Sequence, residues 1–191
     1  MGRVKTFDEL ETLERAIELF WLQGYDATSI QDLVEALGIN RASLYATYGG
    51  KRALFFRSFR HYQEKNQSIL SAFLDEQDDV RLGLRNLFER SMGCSSTGGG
   101  KGCFAVNNTV ALKKEDEEMT KMLKENRKIV EETFRNFLQK GVNTEQISQD
   151  KDLNALAGLL VTFYYGLQAL SRISEKTENQ FRAVDALIAA L

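Results

Sequence analysis

The sequence predicts an all-α protein, with an N-terminal three-helix helix-turn-helix domain joined to a C-terminal helical domain. Three observations carry this. The 191 residues contain no proline, so no ring removes a backbone donor or breaks a helix. Apolar residues recur at helical spacing along most of the chain. Between Gly24 and Phe56 the run GYDATSIQDLVEALGINRASLYATYGGKRALFF reads as two short helices around a tight turn, with a lysine-opened helix behind them.

The first helix is expected from Phe7 to Gly24, with Phe7, Leu10, Leu13, Ile17 and Phe20 as its core stripe. Thr28 and Ser29 can cap a second helix through a side-chain oxygen. Ile30, Leu33, Val34 and Leu37 then give it one apolar face at i, i+3, i+4 and i+7. Gly38 ends it, because glycine takes positive φ at little steric cost. Ile39 plugs the turn and Asn40 caps a third helix. On that helix Leu44 and Tyr48 lie four apart and face inward. Arg41, Ala42, Ser43, Tyr45 and Thr47 project elsewhere, which makes them the reading positions of a DNA-binding helix-turn-helix.

A long fourth helix is expected from Lys51 to roughly Glu76, with Leu54, Phe55, Phe59 and Tyr62 inward. A fifth runs from Val80 to Met92. Gly93 to Gly102, GCSSTGGGKG, reads as a small-residue loop. Phe104 to Leu112, Glu115 to Lys140, Asp152 to Ser174 and Glu178 to Leu191 supply four more helices. The domain boundary is expected at residue 50, leaving 51–191 as the second domain.

The charge distribution fits a nucleic-acid reader better than the net charge does. The formal charge is −2. Yet no Asp or Glu falls between Ala36 and Gln63, where Arg41, Lys51, Arg52, Arg57 and Arg60 all lie. From Phe7 to Glu35 the acids Asp8, Glu9, Glu11, Glu14, Glu18, Asp26, Asp32 and Glu35 meet a single Arg15. Phosphates are therefore expected at the third helix and the start of the fourth.

GYxxTS, LGINRASLY and the GGKRALF run together resemble the N-terminal domain of the tetracycline-repressor-like (TetR/AcrR) family of bacterial transcription regulators. GCFAVN at Gly102 to Asn107 and the apolar penultimate helix are similar to that family's C-terminal half. The resemblance implies a homodimeric, ligand-responsive regulator, most often a repressor, on double-stranded operator DNA. It implies that Arg41, Ala42, Ser43 and Tyr45 meet bases or sugar-phosphate, that Thr28, Ser29, Thr47 and Lys51 hold phosphates, and that Gln31 is a further contact. Thr47 stands where the family commonly has histidine, and Gly49-Gly50 loosens the link to the fourth helix.

The second domain is expected to bind an unidentified small-molecule effector. Phe88, Met92, Cys103, Phe104, Asn107, Asn108, Met122, Phe134 and Tyr165 are the candidate lining, with Val106, Val110, Met119 and Phe137 nearby. Such aromatic and methionine stripes also serve as plain core. Asn107 and Asn108, if buried, need partners from backbone or ligand. The run from Asp152 to Ser174 is apolar nearly all round, so it must be covered on two sides or buried centrally. Gly158, Thr162 and Gly166 leave a shallow stripe on it. By the resemblance, these with Phe163, Leu170, Phe181, Val184, Leu187 and Ile188 form a four-helix dimer interface.

Other chemistries find little support. A P-loop needs Ser or Thr after the lysine, whereas Gly102 follows Lys101. His61 is the only histidine, and neither Cys-x-x-Cys nor HExxH occurs, so neither a metal nor a cofactor is expected. No catalytic constellation stands out, which leaves an enzymatic or purely small-molecule-binding helical protein as the alternative. The Ala155 to Leu170 run, about 16 residues, falls short of the ~20 needed to span a bilayer. With no secretory signal, a cytoplasmic protein without membrane partners is expected. Cys94 and Cys103 flank the glycine loop, with two free thiols as the default and a thiol switch at Cys103 as the sharper expectation.

Overall fold

The computed structural model describes residues 7–93, 101–113, 115–173 and 177–191. Cys94 and most of the glycine loop lie outside the described residues. Along the chain run α1 (Glu9–Gln23), α2 (Ile30–Leu37), α3 (Arg41–Tyr48), α4 (Lys51–Asp75), α5 (Val80–Gly93), α6 (Phe104–Val110), α7 (Glu117–Asn143), α8 (Leu153–Leu170) and α9 (Glu178–Ala189). Among the described residues there is no strand.

The chain divides into two compact units, Met1–Lys65 and Asn66–Leu191. The division falls inside α4, past the expected boundary at residue 50, because the first half of that helix walls the N-terminal core. Phe55 meets Phe20 edge-on at 5.2 Å and Tyr25 at 4.9 Å. Tyr62 meets Trp21 at 5.4 Å. Leu54, Phe55 and Phe59 are fully buried there. At ~1.5 to 3 kcal/mol for each buried side chain, these hold a three-helix unit too small to close by itself. The structure departs from the expected α1 stripe at Leu10. Leu10 is 61% exposed, and Leu13, Ala16, Ile17 and Phe20 carry α1.

In the second unit α8 lies on α7, α5 packs on both of them and on α9, and α6 crosses α7 and α8. Its core is continuous from Leu70 and Leu74 on α4, through Phe88, Phe134 and Leu160, to Leu191. Gly141 lets α7 pass close to Ile147 and Val80, whose side chains would sit 3.0 to 3.1 Å from an added Cβ.

Candidate nucleic-acid interface

The turn between α2 and α3 is built by caps. Ser29 and Asp32 cap α2 reciprocally: the Asp32 N–H donates to Ser29 Oγ at 3.0 Å and the Ser29 N–H to Asp32 Oδ2 at 2.7 Å. Such a capping box contributes about 1 kcal/mol. Hydrogen bonding to the carboxylate, first from the Ser29 backbone N–H and then from the Ser29 side chain, holds Asp32 below its usual pKa. Gly38 ends α2 in the left-handed region at φ 66°. Asn40 Oδ1 then accepts the Ser43 N–H at 2.8 Å and opens α3. Ile39, Leu44 and Tyr48 are buried behind the turn.

The other face of α3 is open. Arg41, Ala42 and Tyr45 are exposed, and Ser43 and Thr47 are half-buried. Gln31 on α2 is exposed and donates to Glu35 Oε1 at 2.7 Å. Ser29 is exposed beside it. Thr28, expected at a phosphate, is instead buried, and its hydroxyl donates to the Gly24 carbonyl at 2.7 Å.

Two cations of the basic run are held by groups of their own unit. The Lys51 ammonium lies 4.5 Å from the centre of the Tyr25 ring and donates to the Asp26 carbonyl at 3.3 Å. Arg57 donates to the Thr47 carbonyl at 3.1 Å and pairs with Glu9 at 3.2 Å, with its guanidinium over the Tyr48 ring. Burial raises the Tyr48 phenol above its usual pKa. Gly50 has φ 117°, and a Cβ added there would stand 3.2 Å from Tyr45 Cε1.

A short helix with a buried apolar face and an exposed Arg/Ala/Tyr face, entered through a capped glycine turn, matches a known group of proteins. A family model described as "Bacterial regulatory proteins, tetR family" matches residues 13–57, and one described as "Tetracyclin repressor-like, C-terminal domain" matches residues 83–187. The chain belongs to the TetR family. It is 30% identical to the HTH-type transcriptional regulator YezE of Bacillus subtilis (strain 168) over 193 residues, covering 100% of each chain. It is 32% identical to the HTH-type transcriptional repressor ComR of Escherichia coli (strain K12) over 180 residues, 93% of this chain and 86% of that one. A solved structure of the TetR family transcriptional regulator CifR, a cysteine mutant complexed with 26-bp double-strand operator DNA, superposes with a TM-score of 0.87 at 26% identity over 98% of this chain and 99% of that one. The protein is thus a helix-turn-helix transcription regulator of the TetR type.

The TetR-type second unit separates the remaining candidates. Phe88, Phe104 and Phe134 are fully buried, and Met92 and Met122 nearly so. Phe88 stacks on Phe163 edge-on at 5.2 Å and on Phe134 at 6.4 Å. Phe88, Met92 and Phe134 belong to one continuous core. Val110 points out, 80% exposed. The two asparagines find backbone partners: Asn107 Nδ2 donates to the Lys101 carbonyl and Asn108 Nδ2 to the Phe104 carbonyl, each at 2.7 Å. Cys103 is half-buried at the start of α6. Tyr165 is mostly buried, and burial first, then neighbouring Cys103, pushes its phenol well above the usual range. Its Oη accepts from Asn126 Nδ2 at 3.0 Å.

Asn126 escaped the sequence reading. The signal was present, since it interrupts the apolar series Met119, Met122, Leu123 on α7 with a buried amide. A cleft of about 340 Å³ also opens between α4 and α7, with Gln67, Ser71, Thr133 and Lys140 among its walls. It too lay outside the expected lining.

The interface candidates split as well. Val184, Leu187 and Ile188 are buried in their own protomer's core, where α9 packs on α5. They are therefore not free for a partner. Gly158, Phe163 and Phe181 are half-buried. Thr162, Gly166 and Leu170 are exposed on α8, as is Leu159. Only Ala157, Leu160, Val161 and Leu167 of that helix are buried. At 18 residues and mean hydropathy 1.3, α8 is long and apolar enough by composition to cross a membrane, longer than the run measured on the sequence.

Proposed function

We infer that this TetR-family regulator is a repressor that binds a roughly palindromic operator as a homodimer and leaves it when an effector occupies the second unit. The observation that carries this reading is the outward face of α3, with Arg41, Ala42 and Tyr45 exposed while Leu44 and Tyr48 anchor the opposite side. A helix held by one face and open on the other is how a recognition helix enters a major groove. Arg41, Ala42, Ser43 and Tyr45 then meet bases or sugar-phosphate. Ser29, Gln31 and Thr47 lie at the flanking phosphates, while Thr28 and Lys51 shape the turn from behind. The operator complex of CifR supports duplex DNA as the partner, and the name of ComR supports repression.

The exposed stripe Leu159, Thr162, Gly166 and Leu170 on α8 is the face we assign to the second copy. An apolar helix that its own chain covers on one side needs such a partner in water. The effector site falls in the second unit, where Cys103, Tyr165 and Asn126 bring a thiol, a phenol and an amide toward one another. α4 belongs to both compact units. An effector that favours one setting of its second half therefore biases the helix that braces α3. The protein acts in the cytoplasm, as a binding protein and not an enzyme.

The test is selection of a random-sequence duplex pool on the purified protein. Enrichment of two inverted half-sites in successive major grooves supports the reading. If no sequence is enriched, the protein is a small-molecule-binding helical protein that has kept the fold.

A further inference from the structure

By charge alone Arg57 is one of five cations in an acid-free stretch and reads as a phosphate ligand. The geometry points to a different role: we propose that Arg57 is a positioning residue, a clip that holds the C-terminal end of the recognition helix by joining the Thr47 carbonyl and the Tyr48 ring to Glu9 on α1.

Three contacts converge on one guanidinium. Nη1 donates to the Thr47 carbonyl at 3.1 Å. Nη2 donates to Glu9 Oε2 at 3.2 Å. The guanidinium carbon lies 4.9 Å from the centre of the Tyr48 ring. The last turn of a helix leaves carbonyls without intrahelical partners and carries the negative end of its dipole, so a cation there satisfies both needs. α3 has neither an acid in its first turn nor a base in its last, so the cation must come from another helix. Arg57 supplies it from α4.

The planar fork is what makes the clip. Its two nitrogens reach α1 and α3 at once, while its face lies on Tyr48, a combination that the single ammonium of lysine does not provide. The Arg57–Glu9 pair, with side chains 43% and 33% exposed, is screened by water and contributes little by itself. The function lies in geometry. A short helix reads bases only if its axis is held, and α3 spans just Arg41–Tyr48.

This proposal rests on the DNA-binding reading for its affinity test but not for its structural one. Arg57→Lys and Arg57→Ala are compared with the parent on a duplex recovered from the random pool, over a series of salt concentrations. A phosphate ligand would keep most of its affinity as lysine, and as alanine would flatten the slope of log K against log salt by about 0.9. A clip gives the opposite pattern. Both variants should lose affinity by about tenfold with the salt slope unchanged. Glu9→Gln is the second probe. Removing an acid near DNA should strengthen a phosphate-driven complex, whereas loss of the clip weakens it, and Glu9→Gln adds nothing in the Arg57→Ala background.

Amide hydrogen exchange on the free protein reads the same contact without DNA. Exchange should rise at Tyr48 and Gly49 in both Arg57 variants while the core amides of α1 and α4 stay protected. Retained affinity in Arg57→Lys with a flattened slope in Arg57→Ala overturns the clip. Unchanged exchange at Tyr48 and Gly49 overturns it even if the protein binds no DNA.

Discussion

Among the described residues α3 and α8 each expose a face, and the two faces have opposite chemistry. On α3 the open side carries Arg41, Ala42 and Tyr45, with Ser43 and Thr47 at its edges. On α8 it carries Leu159, Thr162, Gly166 and Leu170. The first is short, capped at both ends and pinned from behind by Leu44 and Tyr48, as a surface that must meet a charged, hydrated groove has to be. The second is long and apolar, with a mean hydropathy of 1.3 over its 18 residues. Such a surface is stable in water only when another apolar surface covers it. The contrast teaches that an uncovered face is informative by its chemistry: polar and rigid faces suit a ligand of fixed shape, apolar ones a second protein surface.

The sharpest way to break this comparison is to place a charge on each side of the boundary between core and open face in the second unit. Leu187 is 8% exposed within its own protomer, so Leu187→Asp should abolish folding, at a cost of ~4 kcal/mol or more. Gly166 is exposed, and a Cβ there meets nothing within 4 Å. Gly166→Glu should therefore fold normally and sediment as a monomer, because the carboxylate would be desolvated only in the dimer. Sedimentation velocity with a thermal melt reads both. A soluble Gly166→Glu dimer would move the interface off α8.

Arg41 tests the other face. It is exposed and makes no hydrogen bond or ion pair among the described residues. Arg41→Ala should leave the melting temperature unchanged and cost ~1 to 3 kcal/mol of operator affinity. Equal affinity in mutant and parent would remove Arg41 from the reading set.

Gly50→Ala sharpens the account of how α3 is held. An alanine at φ 117° is strained, and its Cβ would stand 3.2 Å from the Tyr45 ring. Urea unfolding should show a loss of about 1 to 2 kcal/mol. Operator affinity should also fall in the Tyr45 background and not further in Tyr45→Ala. Additive losses in affinity would mean that the glycine serves the chain turn alone.

The smallest effect is at the capping box. Because the folded-state pKa of Asp32 is lowered by its hydrogen bonds to Ser29, its contribution is present above the unfolded carboxylate pKa and is lost as pH falls through the folded one. Melts taken from pH 6 down to pH 3 should drop slightly more steeply in the parent than in Asp32→Asn. Parallel curves would show that the carboxylate charge adds nothing to the cap.

The sequence by itself determined what is local. Gly38 and Asn40, Ser29, and the i, i+3, i+4 series of α2 specify caps, a turn and an apolar face within a few residues of one another, and the structure realises each of them, adding Asp32 as the reciprocal half of the Ser29 cap. The family motif lies in the same stretch, so the kind of regulator was legible there too. What only the tertiary structure decided is which of several chemically equivalent residues is spent internally. Arg41 and Arg57 are both arginines of one basic run, yet the second finds a carbonyl and a ring on the preceding helix and a carboxylate on α1, far off in sequence. Leu159 and Leu187 are both leucines of apolar stripes, yet Leu187 is buried in its own chain's core while Leu159 is 45% exposed. Periodicity specifies that a face is apolar or charged, but what covers that face depends on the packing of elements far apart along the chain, and a linear pattern does not encode it.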